Sequence, residues 1–128
     1  MQPSIHVVKN NIKTGQKGEH LAVQYLRIKG YEILERNWRY MHKEIDIIAR
    51  ENDCLVIVEV KTLNGRAFGN PMAGITRKKQ SFLVRAAEAY VLNHNLDTNI
   101  RFDVIGIILE KNRSELEHIQ SAFHPVAE

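Results

Sequence analysis

The sequence has 128 residues, of which 44% are hydrophobic and 26% are charged, values that suit one folded domain with a substantial core. Its net charge of +3 and pI near 9.1 are compatible with a nucleic-acid partner, but not with a strongly basic architectural DNA-binding protein. The single cysteine, Cys54, excludes an internal disulfide and a cysteine-rich zinc module. This cysteine usage, and the lack of an apolar run long enough to cross a membrane, predict a cytoplasmic protein without a membrane partner.

A first helix is predicted from Thr14, which is a suitable N-cap, to about Lys29, with Gly30 as the C-terminal stop. Glu19 lies in this helix, at the edge of the apolar stripe rather than opposite it. A carboxylate near the start of a helix is favourable in the field of the helix dipole. A structural role is therefore one interpretation of Glu19.

The pattern of residues 31–38 predicts a first strand, and a basic, aromatic link follows it. This link contains Trp38, Arg39, Tyr40 and Lys43. Interleaved cations and aromatic rings suit contact with a nucleic-acid backbone. A solvated loop is the alternative interpretation of the same residues.

The central feature of the sequence is a predicted hairpin. Residues 44–49 alternate between polar and apolar side chains, and residues 50–53 form a polar turn. Residues 54–60 are apolar on both faces, as expected of a strand in the middle of a sheet. This strand ends in Glu59 and Lys61, which are two residues apart and therefore project from the same face.

The length of the turn decides where Asp46 points. With an even loop, of two or four residues, we expect Asp46 to lie opposite Ile57, diagonal to Glu59 and on the same face. A three-residue loop without a bulge would turn Asp46 to the other face. The favoured register gathers Asp46, Glu59 and Lys61 at one end of the central strand.

Two neighbouring carboxylates that are partly buried repel each other and need compensation. Lys61 is expected to offset one negative charge. A hard divalent cation such as Mg²⁺ would offset the rest, since it prefers oxygen ligands. The alternative is an ordinary salt bridge at a frayed strand end, and the pattern alone leaves both interpretations open.

After Lys61 the sequence is irregular and glycine-rich as far as residue 74, which is typical of a mobile loop that contacts a substrate. Thr76 is predicted to cap a second helix that ends near Asn93. The first turn of this helix carries three cations, Arg77, Lys78 and Lys79. Cations at a helix N-terminus oppose the dipole, so this turn is either a phosphate site or a plain solvated turn.

Two further strands complete the predicted fold. Residues 101–109 are expected to lie parallel to the central strand, because a helical crossover precedes them. Residues 115–123 are expected to form a short edge strand. The prediction is a single α/β domain over residues 14–123, a mixed sheet flanked by helices, with a flexible arm over 1–13 and a disordered tail over 124–128.

Several motifs together resemble the YraN family of small bacterial proteins, which look like nucleases. The matching motifs extend over most of the chain: Gly15-x-x-Gly18-Glu19-x-x-Ala22, Gly30-Tyr31-x-Ile33-Leu34-x-Arg36-Asn37-x-Arg39, Glu44-Ile45-Asp46-x-Ile48-Ala49, Val58-Glu59-Val60-Lys61 and Arg101-Phe102-Asp103-Val104. That family is similar to the PD-(D/E)xK nuclease superfamily and, within it, to the archaeal Holliday-junction resolvases. The resemblance implies a restriction-endonuclease-like core with its active site at one end of the central hairpin.

The resemblance also implies roles for individual residues. Asp46 and Glu59 would bind Mg²⁺ or Mn²⁺, helped by the main-chain carbonyl of Val60. Lys61 would position or activate the attacking water and stabilise charge on the phosphate. Glu19 would reach the metal directly or through water.

The sequence departs from the family pattern at two positions. Lys43 stands where the family usually has glycine, and Leu63 stands where it often has a basic residue. The first change leaves the metal-ligand positions intact and adds a candidate phosphate contact. The second removes a charge beside the catalytic strand, so substrate binding is expected to be weaker or differently placed.

The resemblance implies a Mg²⁺- or Mn²⁺-dependent endonuclease that acts on DNA in preference to RNA, including branched or structured DNA. The expected contacts to DNA phosphates are Arg39, Lys43, Arg77, Lys78 and Lys79. Their binding should weaken steeply as salt increases. The alternative is a non-catalytic module that keeps the nuclease fold and binds nucleic acid or protein. Resolvases act as symmetric pairs, so the resemblance is also compatible with a homodimer.

Overall fold

The computed structural model describes residues 3–64 and 70–125. Two α-helices, five strands and a short 3-10 helix follow one another: α1 (Pro3–Ile28), β1 (Glu32–Tyr40), β2 (Lys43–Glu51), β3 (Cys54–Asn64), the 3-10 helix (Pro71–Gly74), α2 (Arg77–Asn93), β4 (Asn99–Leu109) and β5 (Ser114–Phe123). Within these residues, neither helix is long and apolar enough to cross a membrane. Parts of the predicted arm (1–2), mobile loop (65–69) and tail (126–128) lie outside the described residues.

The five strands form one mixed sheet in the order β1-β2-β3-β4-β5. The β3–β4 pair is parallel, and the other pairs are antiparallel. α2 connects β3 to β4, because parallel neighbours need a crossover. The predicted α/β class and mixed sheet are confirmed, and β5 is the predicted edge strand, paired with β4.

The sheet separates two hydrophobic clusters. The cluster on one face includes Ala22, Val23 and Leu26 of α1, and the cluster on the other includes Leu83 and Ala86 of α2. β3 contributes to both, because alternate residues of a strand point to opposite faces. Burying one large aliphatic side chain stabilises the fold by about 1.5–3 kcal/mol. Packing on both faces therefore holds the central strand, and with it the position of the strand's last residues.

α1 begins at Pro3 rather than at Thr14, so most of the segment expected to be an arm is helical. Proline suits the first turn of a helix, because its missing N–H would have no partner there. The predicted C-terminal stop is confirmed. Gly30 has a φ of 95°, and the N–H of Tyr31 donates to the carbonyl of Leu26 at 2.9 Å, which is the left-handed cap that glycine favours.

Both connections before β3 are tight, two-residue turns. The basic, aromatic link after β1 is part of a hairpin, because Tyr40 pairs with Lys43 across a two-residue turn. The next turn consists of Asn52 and Asp53, at the end of the polar run predicted to form it, since Glu51 pairs with Cys54. Its first residue, Asn52, has the positive φ (54°) that a tight hairpin turn requires.

Candidate active site

Glu59 and Lys61 lie on the face of the sheet that α2 covers. Oε2 of Glu59 is 3.0 Å from Nζ of Lys79 in α2. Lys61 packs against Gly74 of the 3-10 helix, where an added Cβ would overlap Nζ and lie 2.7 Å from Cε of Lys61. The two side chains therefore share a face, as predicted from their spacing.

Asp46 reaches the same end of β3 by a different register from the one predicted. Ile57 pairs with Ile48, not with Asp46, because the turn is formed by Asn52 and Asp53, one residue further along the chain than the centre of the predicted turn, and this shifts the pairing by two positions. A shift by two keeps each side chain on its face. Oδ2 of Asp46 accepts a hydrogen bond from the main-chain N–H of Val60 at 2.8 Å, which places the carboxylate beside the residue that follows Glu59.

β2 is irregular around Asp46. Ile45 packs in the α2 cluster and Ile47 in the α1 cluster, although residues two apart in a regular strand share a face. The backbone pairing of β2 with β3 ends at Ile47 and Val58. Beyond this point the Asp46 carboxylate, rather than the β2 main chain, accepts the next N–H of β3.

The electrostatic balance of the site is unfavourable to two ionised carboxylates. Burial, followed by the negative charge of Glu59, raises the pKa of Asp46 to about 8. The charge of Glu19 raises this pKa further, while the hydrogen bond from Val60 and the charge of Lys79 lower it. The positive charge supplied by the protein is therefore too small to keep both carboxylates ionised at neutral pH.

The two oxygens of Glu59 have different surroundings. The residue is only 6% exposed, and Lys79 contacts Oε2. Oε1 is buried and accepts no hydrogen bond from the part of the chain that the structure describes. An unsatisfied buried acceptor costs about 1–3 kcal/mol, so binding a cation at this oxygen would remove a destabilising feature.

Glu19 lies close enough to Asp46 for its charge to raise the pKa of that residue. Nδ2 of Asn37 donates to Oε1 of Glu19 at 3.0 Å, from a backbone with a φ of 51°, a region that asparagine tolerates. Gly18 allows α1 to approach β3, because a Cβ there would overlap Oγ1 of Thr62. The three carboxylates predicted for the site therefore lie in one region.

The sequence interpretation missed the position of Lys79. Its predicted contact was with DNA phosphate, yet its ammonium group points to Glu59. A signal was present, since Lys79 precedes Phe82 and Leu83 by three and four residues and therefore shares the face of α2 that packs on the sheet. Gly74, against which Lys61 packs, was also missed, and nothing in the sequence pattern marks it.

The other predicted cations are arranged differently. Lys61 forms no direct ion pair with any described residue, so the expectation that its charge offsets a carboxylate stays a prediction. Arg77 and Lys78 are exposed at the start of α2. Arg39 and Lys43 flank the exposed β1–β2 turn, with Arg39 3.6 Å from Glu44. Their contacts with phosphate stay predictions.

No three histidine, cysteine, aspartate or glutamate side chains among residues 15–63 and 70–125 form a ready group for a metal ion. Asp46 and Glu59 nevertheless offer hard oxygen donors. One of these atoms, Oε1 of Glu59, has no hydrogen-bond partner among the described residues. Mg²⁺ often binds through one or two carboxylates and keeps water or substrate phosphate as its other ligands. The residues present therefore fit a divalent cation of this kind, with Glu19 and the carbonyl of Val60 as the predicted additional ligands.

The site residues fall within a region that is similar to known sequences. Residues 18–107 match the family described as "Uncharacterised protein family UPF0102". A UPF0102 protein of Christiangramia forsetii is 50% identical over 109 residues, which cover 85% of this chain and 92% of that protein. A UPF0102 protein of Alkaliphilus oremlandii is 45% identical over 116 residues, with coverages of 88% and 99%. This match and these identities show that the chain belongs to the UPF0102 family.

Proposed function

We propose that this protein is a metal-dependent endonuclease that hydrolyses phosphodiester bonds in DNA, with branched or otherwise structured DNA as its substrate. The observation that carries the proposal is the carboxylate pair at the end of β3. Asp46 has its pKa raised to about 8, and Glu59 beside it has a buried oxygen that accepts no hydrogen bond from any residue that the structure describes. Such a pair is destabilising without a cation, and perturbed carboxylates of this kind are typical of functional sites.

In this proposal, the carboxylates bind the metal ion and the lysine stabilises negative charge on the phosphate. Asp46 and Glu59 would hold Mg²⁺ or Mn²⁺, and Glu19 would bind the ion through water. The ion, when bound, supplies neutralisation of phosphate charge and a lower pKa for the attacking water. Lys61, on the same face as Glu59, would place a positive charge beside the phosphate as negative charge develops there.

The proposal includes a restriction-endonuclease-like architecture. Three features support it: an antiparallel hairpin followed by a parallel strand, one helix on each face of the sheet, and charged residues at one end of the hairpin. The motif resemblance to PD-(D/E)xK nucleases supports it as well.

The test is cleavage of labelled four-way-junction, flap, single-stranded and duplex DNA in the presence of Mn²⁺. Glu59→Gln and Lys61→Met should each abolish cutting. Glu117→Gln and Lys111→Met are matched controls, because these residues are exposed on or next to β5 and should leave the rate unchanged. Cutting that survives both site substitutions would come from a contaminant and would refute the proposal.

A non-catalytic binding module with the same fold is the second candidate. Two observations favour it: Lys79 already neutralises one oxygen of Glu59, and the described residues hold no three-residue metal group. A pure binder has no reason to gain stability from a metal that binds only the folded state. A rise in Tm with Mn²⁺ that Glu59→Gln eliminates would support the nuclease, and an unchanged Tm would support the module.

A further inference from the structure

A second charged feature lies outside the carboxylate site. A cleft of about 350 Å³ runs between α2 and the chain that follows β5. Its polar lining comes from two parts of the chain: Arg77, Lys78, Gln80, Ser81 and Arg85 on the helix, and His124 after the strand. Among residues 3–64 and 70–125, no aspartate or glutamate lines it.

The cations of this cleft have no acidic partner in the part of the chain that the structure describes. Arg77, Lys78 and Arg85 form no ion pair or side-chain hydrogen bond with the residues that the structure describes. Elsewhere, arginines such as Arg101 and Arg113 contact carboxylates at about 3 Å. Three neighbouring positive charges around a concave surface favour an anionic ligand.

The spacing of the cations indicates an extended anion. Arg77, Ser81 and Arg85 are four residues apart, so they lie along one side of α2. At 1.5 Å per residue they cover about 12 Å of the helix axis. One DNA strand places a phosphate about every 3.4 Å along its axis. The cleft therefore matches several consecutive phosphates better than a single isolated phosphate group.

The same helix connects this cleft to the carboxylate site. Lys79 points to Glu59, while Lys78 lines the cleft. Arg85 lies six residues beyond Lys79, which is about 9 Å along the helix. Resting on the proposed nuclease function, we propose that the cleft binds the phosphate backbone of the DNA substrate away from the bond that is cut.

The proposal is tested by DNA binding without metal, so that no cleavage is required. Fluorescence anisotropy with labelled single-stranded and duplex DNA compares the wild type with Arg85→Gln and with Arg85→Gln combined with Lys78→Gln. The control is Arg27→Gln, which removes an exposed positive charge from α1. Arg85→Gln should weaken binding at low salt by about tenfold, equally for all sequences, and reduce the slope of log affinity against log salt by about 1.

Several outcomes would overturn the proposal that the cleft binds DNA. These are unchanged affinity in the double variant, an equal loss with Arg27→Gln, or no DNA binding by the wild type. Circular dichroism and Tm confirm that the variants are folded, as expected for exposed positions. If the wild type cuts DNA but Arg85→Gln binds DNA normally, the proposal for the cleft is wrong and the proposed nuclease activity is supported. If the wild type does not cut DNA, but Arg85→Gln weakens binding and Arg27→Gln does not, the proposed nuclease activity is wrong and DNA binding by the cleft is supported.

Discussion

The ammonium group of Lys79 lies 3.0 Å from Oε2 of Glu59, whereas Oε1 of the same buried carboxylate has no partner among the described residues. The start of α2 sets this contact, because Oγ1 of Thr76 accepts the main-chain N–H of Lys79 at 3.1 Å and thereby caps the helix. The helix thus places one positive charge beside Asp46 and Glu59, and this single charge is too little to keep both carboxylates ionised at neutral pH.

Lys79→Ala should tighten the binding of Mg²⁺, because the ion would no longer compete with an ammonium group for Glu59. We expect an affinity about tenfold higher, equivalent to about 1.4 kcal/mol. The metal-free variant should be less stable by about 1–3 kcal/mol, since Glu59 loses the only partner that it has among the described residues. Calorimetric titration, in a buffer more alkaline than the Asp46 pKa, measures the first effect, and denaturant unfolding measures the second.

Lys78→Ala is the matched control for this experiment, because Lys78 is exposed in the same helical turn. It should leave both quantities nearly unchanged. A weaker affinity in Lys79→Ala would mean that Lys79 assists metal binding rather than competing with it.

The stability of the metal-free protein should fall as pH rises. The pKa of Asp46 is about 8 in the folded protein, against an ordinary value of 3.8. Between these values the folded state keeps a proton that the unfolded chain has released, so the free energy of unfolding decreases by up to about 1.4 kcal/mol per pH unit. Asp46→Asn removes this contribution. The difference between the free energies of unfolding of this variant and of the wild type, plotted against pH, should therefore show the contribution of Asp46.

Urea unfolding across this pH range, without divalent ions, checks the prediction. Asp97→Asn serves as the control, because Asp97 is exposed and lies outside the carboxylate site. If the free energy of unfolding of the wild type and that of Asp46→Asn changed with pH in parallel, Asp46 would have its ordinary pKa in the folded protein.

Gly74→Ala should impair cleavage without unfolding the protein. The three atoms nearest to the new Cβ would be Cδ, Cε and Nζ of Lys61, the far end of a side chain that can move. Stability should therefore change by less than about 0.5 kcal/mol. Displacing the lysine by about 1 Å should nevertheless lower the cleavage rate by about 100-fold.

Gly15→Ala makes the same substitution where nothing lies within 4 Å of the added Cβ. Its single-turnover cleavage rate should equal that of the wild type. If Gly74→Ala cut DNA at the normal rate, the position of the Lys61 ammonium group would be unimportant for the reaction.

Arg101→Met should destabilise the fold by about 3–5 kcal/mol, because it removes the positive charge and two of the four hydrogen bonds that stabilise the buried Asp103 carboxylate. Nε and Nη2 of Arg101 donate to the two oxygens of Asp103 at 2.9 Å, and Nη1 donates to Glu51 at 2.8 Å. Burial alone would raise the pKa of Asp103, but hydrogen bonds from His118 and Arg101 hold it below the ordinary value. Thermal unfolding measures the loss.

Arg27→Met provides the comparison, since Arg27 is exposed and its loss should cost less than about 0.5 kcal/mol. A similar small effect for Arg101→Met would show that the buried network contributes little to stability.

Periodicity and turn chemistry alone were enough to predict the main elements of the fold. The apolar run of β3 predicted a central strand, Gly30 predicted the end of α1, and Thr76 predicted the start of α2. These features depend on neighbouring residues, which a sequence shows directly. For the same reason, the spacing of Glu59 and Lys61 was sufficient to place both on one face.

Only the tertiary structure decided which charges meet. The register of Asp46 depended on which residues of a polar run form the turn, and the predicted pairing was wrong by two positions. The partner of Glu59 proved to be Lys79, because the crossover brings α2 over the end of β3. A sequence specifies local conformation through short-range sterics and hydrogen bonds, but contacts between distant elements depend on how these elements pack together.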